Sequence, residues 1–171
     1  AWQKPHEVIT ALALAPDAVV ADIGAGTGYF AVRLAHFVPQ GRVLAVDTEA
    51  AMVKHLEVRA RKAGLSNLKA VRGRGDSPQL PEKVDVAMLV DVYHHIDRRD
   101  AYFRTLRESL KPGGRVVIID FNQTSPVGPP AKERISADKV RGEMAAAGYR
   151  VKSEPAFLPN QYMIVFEAAS Q

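Results

Sequence analysis

The 171-residue chain contains no cysteine. This absence excludes a disulfide framework, a thiolate nucleophile, and zinc or iron–sulfur sites with cysteine ligands. Any chemistry must therefore come from carboxylates, histidines, tyrosines or a bound cofactor.

Long apolar runs are also missing. Asp22, Asp47, Asp91 and Asp120 interrupt the most hydrophobic stretches, so none of these stretches reaches the ~18 residues that a membrane-spanning helix needs. We expect no membrane span and a cytoplasmic location. An upstream targeting segment stays open, because the chain begins at Ala1 rather than at a methionine.

Neither sign of charge dominates the sequence. Lysine and arginine number 23 and aspartate and glutamate 19, for a net charge of +4, and no block of five like charges occurs. This balance permits nucleic-acid binding but does not indicate it. With 47% hydrophobic and 25% charged residues, the composition predicts one globular domain over residues 1–171.

Hydrophobic periodicity predicts an α/β protein, because short β-branched runs alternate with stretches of helical spacing. The runs are near-continuously apolar, as parallel strands buried on both faces require, and right-handed crossovers place the helices on both faces. The predicted strands are Ala18–Ile23, Arg42–Val46, Leu68–Arg72, Val84–Val90 and Arg115–Phe121, and the helices between them are Tyr29–Phe37, Glu49–Ala63 and Arg98–Leu110.

The two ends of the chain have a different pattern. Within residues 1–16, Pro5–Leu14 is predicted to form a covering helix, and residues 122–135 a proline-rich loop on the substrate side. A helix over Ser136–Ala147 is followed by strands Tyr149–Phe157 and Gln161–Ala168. Their short connection permits only an antiparallel pair.

A glycine loop follows the first predicted strand. Gly24-Ala25-Gly26-Thr27-Gly28 lies between that strand and a helix beginning at Tyr29. Glycines at alternate positions let the backbone turn sharply and approach a ligand closely. Such a loop alone is a weak signal, and a simple tight turn is the alternative.

An acid at the end of the second strand indicates a nucleotide ligand. Asp47 lies nineteen residues after Gly28, near the offset at which an acid accepts hydrogen bonds from ribose hydroxyls. A pyrophosphate loop would have its third glycine where Tyr29 stands. Asp22 would repel a pyrophosphate but would suit a ligand that carries an ammonium group.

Four segments together resemble the class I S-adenosylmethionine (SAM) dependent methyltransferases, and in particular the ubiquinone and menaquinone methyltransferase-like branch that acts on small molecules. Together they span most of residues 18–121, and their order matches that of the family. The segments are Val20–Gly28, Val43–Asp47, Gly75-Asp76 followed by Leu80-Pro81, and Leu110–Arg115. The resemblance implies a Rossmann-like, doubly wound, mostly parallel seven-stranded sheet with a C-terminal antiparallel strand pair.

The resemblance also implies the cofactor contacts. The backbone of Gly24–Gly28, including Ala25, Gly26 and Thr27 and continuing to Tyr29, would face the methionyl part of SAM, with Asp22 near its ammonium. Asp47, next to Thr48, would bind both ribose hydroxyls. Gly75 and Asp76 would meet the adenine amino group, although Gly73-Arg74 could occupy that place instead.

Candidate catalytic residues follow the fourth strand, which delivers Asp91-Val92-Tyr93-His94-His95 to a carboxyl-terminal sheet edge where ligands bind. Methyl transfer from a sulfonium needs mainly positioning, plus a base if the acceptor must lose a proton. His94 and His95 are candidates for that base, and Tyr93 is a third catalytic candidate. Alternatively, one histidine caps the helix that begins near Asp97, and Asp91 grips the SAM ammonium.

Two further features allow a functional and a structural interpretation. Asp91, Asp120 and Asn122 are oxygen ligands of the kind magnesium prefers, but Phe121 separates an Asp–Asn pair that is adjacent in catechol methyltransferase-like enzymes, and we predict no metal. Trp2 either packs on the domain as a lid or forms part of the mouth, together with Tyr29, Tyr93 and the Pro126–Pro130 loop.

We predict a methyltransferase that moves a methyl group from SAM to a small-molecule acceptor, releasing S-adenosylhomocysteine (SAH). Three alternatives stay open. RNA or DNA methylation is favoured only by the net charge, and no Asn-Pro-Pro-Tyr-like segment follows the fourth strand. A nicotinamide-dependent oxidoreductase is disfavoured by the missing third glycine. The last alternative is a SAM-binding protein without catalysis. The sequence indicates no oligomeric state.

Overall fold

The computed structural model describes residues 2–170, so the two ends of the predicted domain, Ala1 and Gln171, lie outside it. Within that range the chain alternates helices and strands. The helices are α1 (Pro5–Ala11), α2 (Tyr29–Phe37), α3 (Ala50–Lys62), α4 (Arg99–Glu108) and α5 (Ala137–Ala146); the strands are β1 (Val19–Ile23), β2 (Arg42–Asp47), β3 (Leu68–Arg72), β4 (Val84–Val90), β5 (Leu110–Phe121), β6 (Tyr149–Ser153) and β7 (Gln161–Ala168).

The strands form one seven-stranded sheet in the order β3-β2-β1-β4-β5-β7-β6. Strands β1 to β5 are parallel to one another, whereas β7 runs antiparallel to both β5 and β6. This confirms the predicted doubly wound, mostly parallel sheet with its C-terminal antiparallel pair. The strand order reverses between β1 and β4, and open α/β sheets bind ligands beyond the carboxyl ends of the strands at such a point.

Alternate residues of the central strands face two different helix layers. In β5, Val117 and Ile119 pack in the core on the side of α1, α2 and α3, whereas Val116 and Ile118 pack on the side of α4 and α5. Side chains on a strand alternate between the faces of the sheet, so a strand covered on both faces must be apolar throughout. This burial explains the continuous apolar runs.

The predicted end of α4 and start of β5 are wrong. Helix α4 was expected to reach Leu110, but it ends at Glu108, and Leu110 already pairs with Val84 in the sheet. The register then shifts, and Arg115 pairs with Val86. Residues 111–114 lie in this irregular stretch because Pro112 has no N–H to donate to a ladder.

Two other elements are shorter than predicted. Strand β6 ends at Ser153 rather than Phe157, because Pro155 cannot donate a ladder hydrogen bond. Helix α1 ends at Ala11 rather than Leu14, and Ala13 has a left-handed backbone with φ 48°, which continues no right-handed helix. None of the helices in residues 2–170 is long and apolar enough to cross a membrane.

Candidate functional site

The glycine loop turns the chain from β1 into α2 at the strand-order reversal. The N–H groups of Gly24 and Ala25 both donate to the carbonyl of Val46 at the end of β2, at 2.8 and 2.9 Å. Gly24, Gly26 and Gly28 all have left-handed φ values, of 75°, 54° and 92°, which only glycine adopts without strain. The loop is therefore built on backbone conformations that its three glycines make accessible.

Two of these glycines have different surroundings. A Cβ on Gly24 would lie 2.3 Å from Cγ2 of Val92, so the loop there packs directly against the chain after β4. A Cβ on Gly26 would meet no protein atom within 4 Å. Gly24 thus serves packing, whereas the space above Gly26 is free for a ligand.

Asp47 closes one side of the loop. Its Oδ2 accepts a hydrogen bond from the Gly26 N–H at 3.0 Å, and its Oδ1 accepts one from the Glu49 N–H at 3.0 Å. Thr48, which follows Asp47, accepts a hydrogen bond at its carbonyl from the Arg72 guanidinium at 2.6 Å. The carboxylate is held at the end of β2, and each oxygen keeps a lone pair for a further donor such as a hydroxyl.

A cavity of about 460 Å³ opens beyond the carboxyl ends of β1, β2 and β4. Of the predicted cofactor residues, Gly24, Asp47, Thr48, Gly75 and Asp91 line it, whereas Asp22, Ala25, Gly26, Thr27, Gly28, Tyr29 and Asp76 do not. The sequence assigned no cofactor role to four apolar or aromatic residues of the cavity wall, Pro78, Val92, Ile96 and Tyr102. The other residues that line the cavity are Ile23, Val46, Glu49, Gly73, Arg74, Val90 and His95.

Asp22 lies beneath the cavity rather than at its surface. The side chain is in β1 and the residue is 3% exposed. Burial raises the pKa of Asp22 to about 7; hydrogen bonding by the Ala31 backbone opposes this rise, and the charge of Asp47 adds to it. A carboxyl group placed there keeps its proton more readily than an exposed one.

The segment between β3 and β4 brings Arg74, rather than Asp76, to the cavity wall. Arg74 and Ser77 form an isolated antiparallel bridge, and the Arg74 guanidinium donates to Asp76 at 3.0 Å, with both side chains largely exposed. The neighbouring Gly73 N–H donates to the Asp47 carbonyl at 2.9 Å. Both candidates for the adenine end therefore lie on one small turn beside Asp47.

The three candidate catalytic residues after β4 point in different directions. Tyr93, His94 and His95 form a short 3₁₀ helix, in which successive side chains are about 120° apart. Tyr93 points into the core, where its ring stacks on Phe103 at 5.3 Å. Its hydroxyl donates to Glu143 of α5 at 2.9 Å, and burial, first, and this carboxylate raise its pKa.

His94 is paired with an acid from the next strand. Its Nδ1 lies 2.8 Å from Oδ2 of Asp120, and the side chains of the two residues are only 5% and 3% exposed. Asp120 also accepts from the backbone N–H of Phe121 at 2.8 Å. His95 is exposed and lines the cavity, and its ring lies 4.0 Å from that of His94.

Asp91 also differs from an ordinary strand-end residue. Its backbone is left-handed, with φ 59°, and its Oδ1 accepts a hydrogen bond from Nε2 of Gln161 at 2.7 Å. Burial raises the pKa of Asp91 to about 6, with the negative charge of Asp120 adding to the rise. Asp91 and Asp120 are two of the three oxygen ligands that the sequence offered to magnesium. In the structure Asp91 is hydrogen-bonded to Gln161, and Asp120 to His94. Within residues 2–170, no three histidine, aspartate or glutamate side chains are grouped so that they could hold a metal ion.

One arginine organises the predicted substrate-side loop. The Arg134 guanidinium donates to five backbone carbonyls at 2.9–3.3 Å. A Cβ on Gly128 would lie 2.7 Å from the Phe121 ring, so the loop packs directly on the end of β5. The five carbonyls are those of Asn122, Gln123, Ser125, Val127 and Pro129.

Trp2 packs on the same part of the domain. Its ring lies 5.7 Å from that of Phe121, while Lys4 donates to the carbonyl of Phe157 at 3.3 Å. Tyr29 lies elsewhere, beneath the guanidinium of Arg33 at 4.2 Å. The N-terminal segment is therefore held against the carboxyl end of β5, next to the loop that Arg134 organises.

A family model described as "Methyltransferase domain" matches residues 20–114, which is more than half of the chain. The matched region runs from β1 through the start of β5 and contains the glycine loop, Asp47, Asp91, His94 and His95. The chain belongs to this methyltransferase family.

Curated relatives of this methyltransferase domain are longer proteins. It is 25% identical over 124 residues to a ubiquinone/menaquinone biosynthesis C-methyltransferase UbiE of Shewanella frigidimarina, covering 71% of this chain and 49% of that protein. It is 31% identical over 137 residues to an arsenite methyltransferase of Halobacterium salinarum, covering 79% of this chain and 34% of the relative. The chain thus spans half or less of the length of these relatives.

A solved structure has the same fold. A SAM-dependent methyltransferase from Aquifex aeolicus superposes with a TM-score of 0.89 at 24% identity, covering 95% of this chain and 88% of that one. The match extends beyond residues 20–114 to the C-terminal strand pair, which the family model leaves out.

Proposed function

We propose that this methyltransferase domain binds SAM in the 460 Å³ cavity and transfers its methyl group to a small organic acceptor, with His94 as the base that removes the acceptor's proton. The observation that carries the proposal is the buried His94–Asp120 pair beside a cavity that is bordered by a glycine loop and the Asp47 carboxylate.

The residues around the cavity fit SAM. Gly26 lies outside the cavity lining, two residues from Gly24, and the open space above it would admit an extended ligand where any side chain would intrude. Asp47 would accept hydrogen bonds from the ribose hydroxyls, and the turn that carries Arg74 and Asp76 would meet the adenine. The cavity also has the anionic side chain of Asp91, which suits the ligand's ammonium.

The chemistry at the acceptor follows from the pair formed by His94 and Asp120. When bound, SAM supplies an electrophilic methyl carbon whose bond to sulfur breaks as the acceptor attacks, leaving the neutral thioether SAH. A hydrogen bond from Nδ1 to Asp120 keeps the proton on Nδ1 and leaves Nε2 as an acceptor. His94 would use this nitrogen to take the acceptor's proton, and Asp120 would stabilise the resulting imidazolium.

One of the two relatives and the composition support an organic acceptor. One relative is named for ubiquinone and menaquinone biosynthesis and the other for arsenite. Arsenic in arsenite binds thiolates, and these 171 residues contain no cysteine. We therefore place the acceptor among small organic molecules, near Phe121, Trp2 and the Arg134 loop.

SAH binding tests the cofactor assignment. SAH should raise the melting temperature, because a ligand that binds only the folded state stabilises it, by about 2.7 kcal/mol at a hundredfold excess over Kd. A folded protein whose melting temperature does not move at millimolar SAH would overturn the proposal.

A pair of histidine variants tests the base. Methyl transfer from isotopically labelled SAM to a panel of phenols, hydroquinones and amines identifies a usable acceptor. His94→Asn should then lower kcat by roughly a hundredfold or more with SAH affinity unchanged, because general-base catalysis contributes about 10²- to 10⁴-fold. The matched His55→Asn variant, at an exposed position of α3, should keep kcat. Full turnover in His94→Asn would refute the assignment of the base.

A further inference from the structure

Asp91 adopts a strained backbone at the end of β4. Its φ of 59° lies in the left-handed region, which costs a residue with a side chain on the order of 1–2 kcal/mol. Its N–H donates to the carbonyl of Ile119 in β5 at 2.8 Å, so the neighbouring strand holds the residue in this conformation. Strain that the surroundings maintain is typical of functional positions.

The side chain of Asp91 is held by Gln161, a residue 70 positions further along the chain. Gln161 is the first residue of β7, lies opposite Phe121 in the antiparallel ladder, and is 4% exposed. The start of β7 is set by the Asn122 N–H, which donates to the Asn160 carbonyl at 3.0 Å. From there the Gln161 amide donates to Oδ1 of Asp91 at 2.7 Å.

The chemistry of this pair suits a cationic ligand. Among residues 2–170, Gln161 is the one side chain that donates a hydrogen bond to the Asp91 carboxylate, and Oδ2 accepts none. A neutral amide fixes a carboxylate without cancelling its charge, whereas a lysine or arginine would neutralise it. The carboxylate lines the cavity beside Gly24, where its remaining lone pairs can meet a ligand.

We propose that Gln161 is a positioning residue of the cofactor site, which holds Asp91 so that its carboxylate binds the ammonium group at the amino-acid end of SAM. This inference rests on the proposed function. Its support is the combination of a left-handed strand end, a buried amide directed at one carboxylate oxygen, and a second oxygen without a protein donor on a residue that lines the cavity. Burial raises the pKa of Asp91 to about 6, and a bound ammonium would favour the ionised form.

Two ligands that differ at the amino-acid end test the proposal. SAH carries the ammonium group, whereas 5′-methylthioadenosine has the same adenosine and thioether but no amino-acid part. In calorimetry near neutral pH, Gln161→Leu should weaken SAH by about tenfold, since charge-assisted hydrogen bonds are worth roughly 10- to 100-fold, and should leave 5′-methylthioadenosine within twofold of wild type. Gln40→Leu, at an exposed glutamine, is the matched control and should change neither.

Asp91→Asn provides a second measurement that does not depend on the folding of the Gln161 variant. It should lower the preference for SAH over 5′-methylthioadenosine at least as much, and adding Gln161→Leu to it should cause little further loss. An unchanged preference in either single variant, or equal weakening of both ligands, would overturn the proposal. A folded wild-type protein that binds neither ligand would overturn the proposed function instead.

Discussion

Replacing Gly26 and Gly24 by alanine, one at a time, should separate cofactor binding from folding. Both positions have left-handed φ values, 54° and 75°, so each alanine costs roughly 1–2 kcal/mol of stability. At Gly26 the new Cβ meets no protein atom within 4 Å, and the backbone cost is the whole cost. For a domain of this size, that lowers the melting temperature by about 2–8 °C.

Gly24→Ala should be the more destabilising of the two. Its Cβ would lie 2.3 Å from Cγ2 of Val92, more than 1 Å inside ordinary van der Waals contact. Overpacking of this kind adds roughly 1–3 kcal/mol to the backbone cost. Because the clash is with one side chain, Val92→Ala combined with Gly24→Ala should recover part of the added loss.

Thermal unfolding and calorimetry with SAH distinguish these effects. Gly26→Ala should remain folded and bind SAH at least tenfold more weakly, because its methyl group would enter the space that the ligand needs. Unchanged SAH affinity in this variant would refute the inference that the loop faces the cofactor. Equal melting temperatures for the two variants would refute the packing argument at Val92.

Three other substitutions test separate parts of the site. Asp47→Ala should weaken SAH by roughly 10-fold or more in calorimetry without unfolding the protein, because charge-assisted hydrogen bonds to two hydroxyls are lost; unchanged affinity would contradict the ribose assignment. Asp22 should hold its proton in the folded state up to about pH 7 and lose it earlier when unfolded, so the contribution of Asp22 to stability should fall as pH rises from about 4 to 7. Asp22→Asn should then gain at most about 4 kcal/mol at pH 8 and nothing near pH 4 in denaturant titrations; a gain independent of pH would refute this. Glu143→Gln should cost about 1–3 kcal/mol of stability by weakening its bonds to Tyr93 and Arg99, and a changed SAH affinity would argue against a purely structural role for Tyr93.

The fold could be predicted from the sequence because its signals are local. Continuous apolar runs predicted buried parallel strands, and glycines at 24, 26 and 28 predicted a sharp turn that the structure contains. One wrong boundary has a local cause: Pro155 cannot donate a ladder hydrogen bond, and β6 ends before it. The early start of β5 does not have a local cause, because Leu110 joins the sheet through its pairing with Val84 of the neighbouring strand, ahead of Pro112.

The partners within the candidate site could not be predicted in the same way. Asp91 and Gln161 are separated by 70 positions in the chain, and His94 and Asp120 by 26. No periodicity connects such residues, since their pairing depends on strand order and register. Asp120 was considered only as a metal ligand, and Gln161 had no sequence signal at all.

The sequence by itself determined that a glycine loop, an acid at the end of β2 and a histidine pair after β4 lie at one edge of a parallel sheet, because all parallel strands end at the same edge. Tertiary structure alone decided the surroundings of each side chain. A 3₁₀ turn of three residues sends Tyr93 into the core, His94 to Asp120 and His95 to the cavity. Three adjacent residues differ in surroundings because each step of such a turn rotates the side chain by about 120°, toward whichever element is packed there.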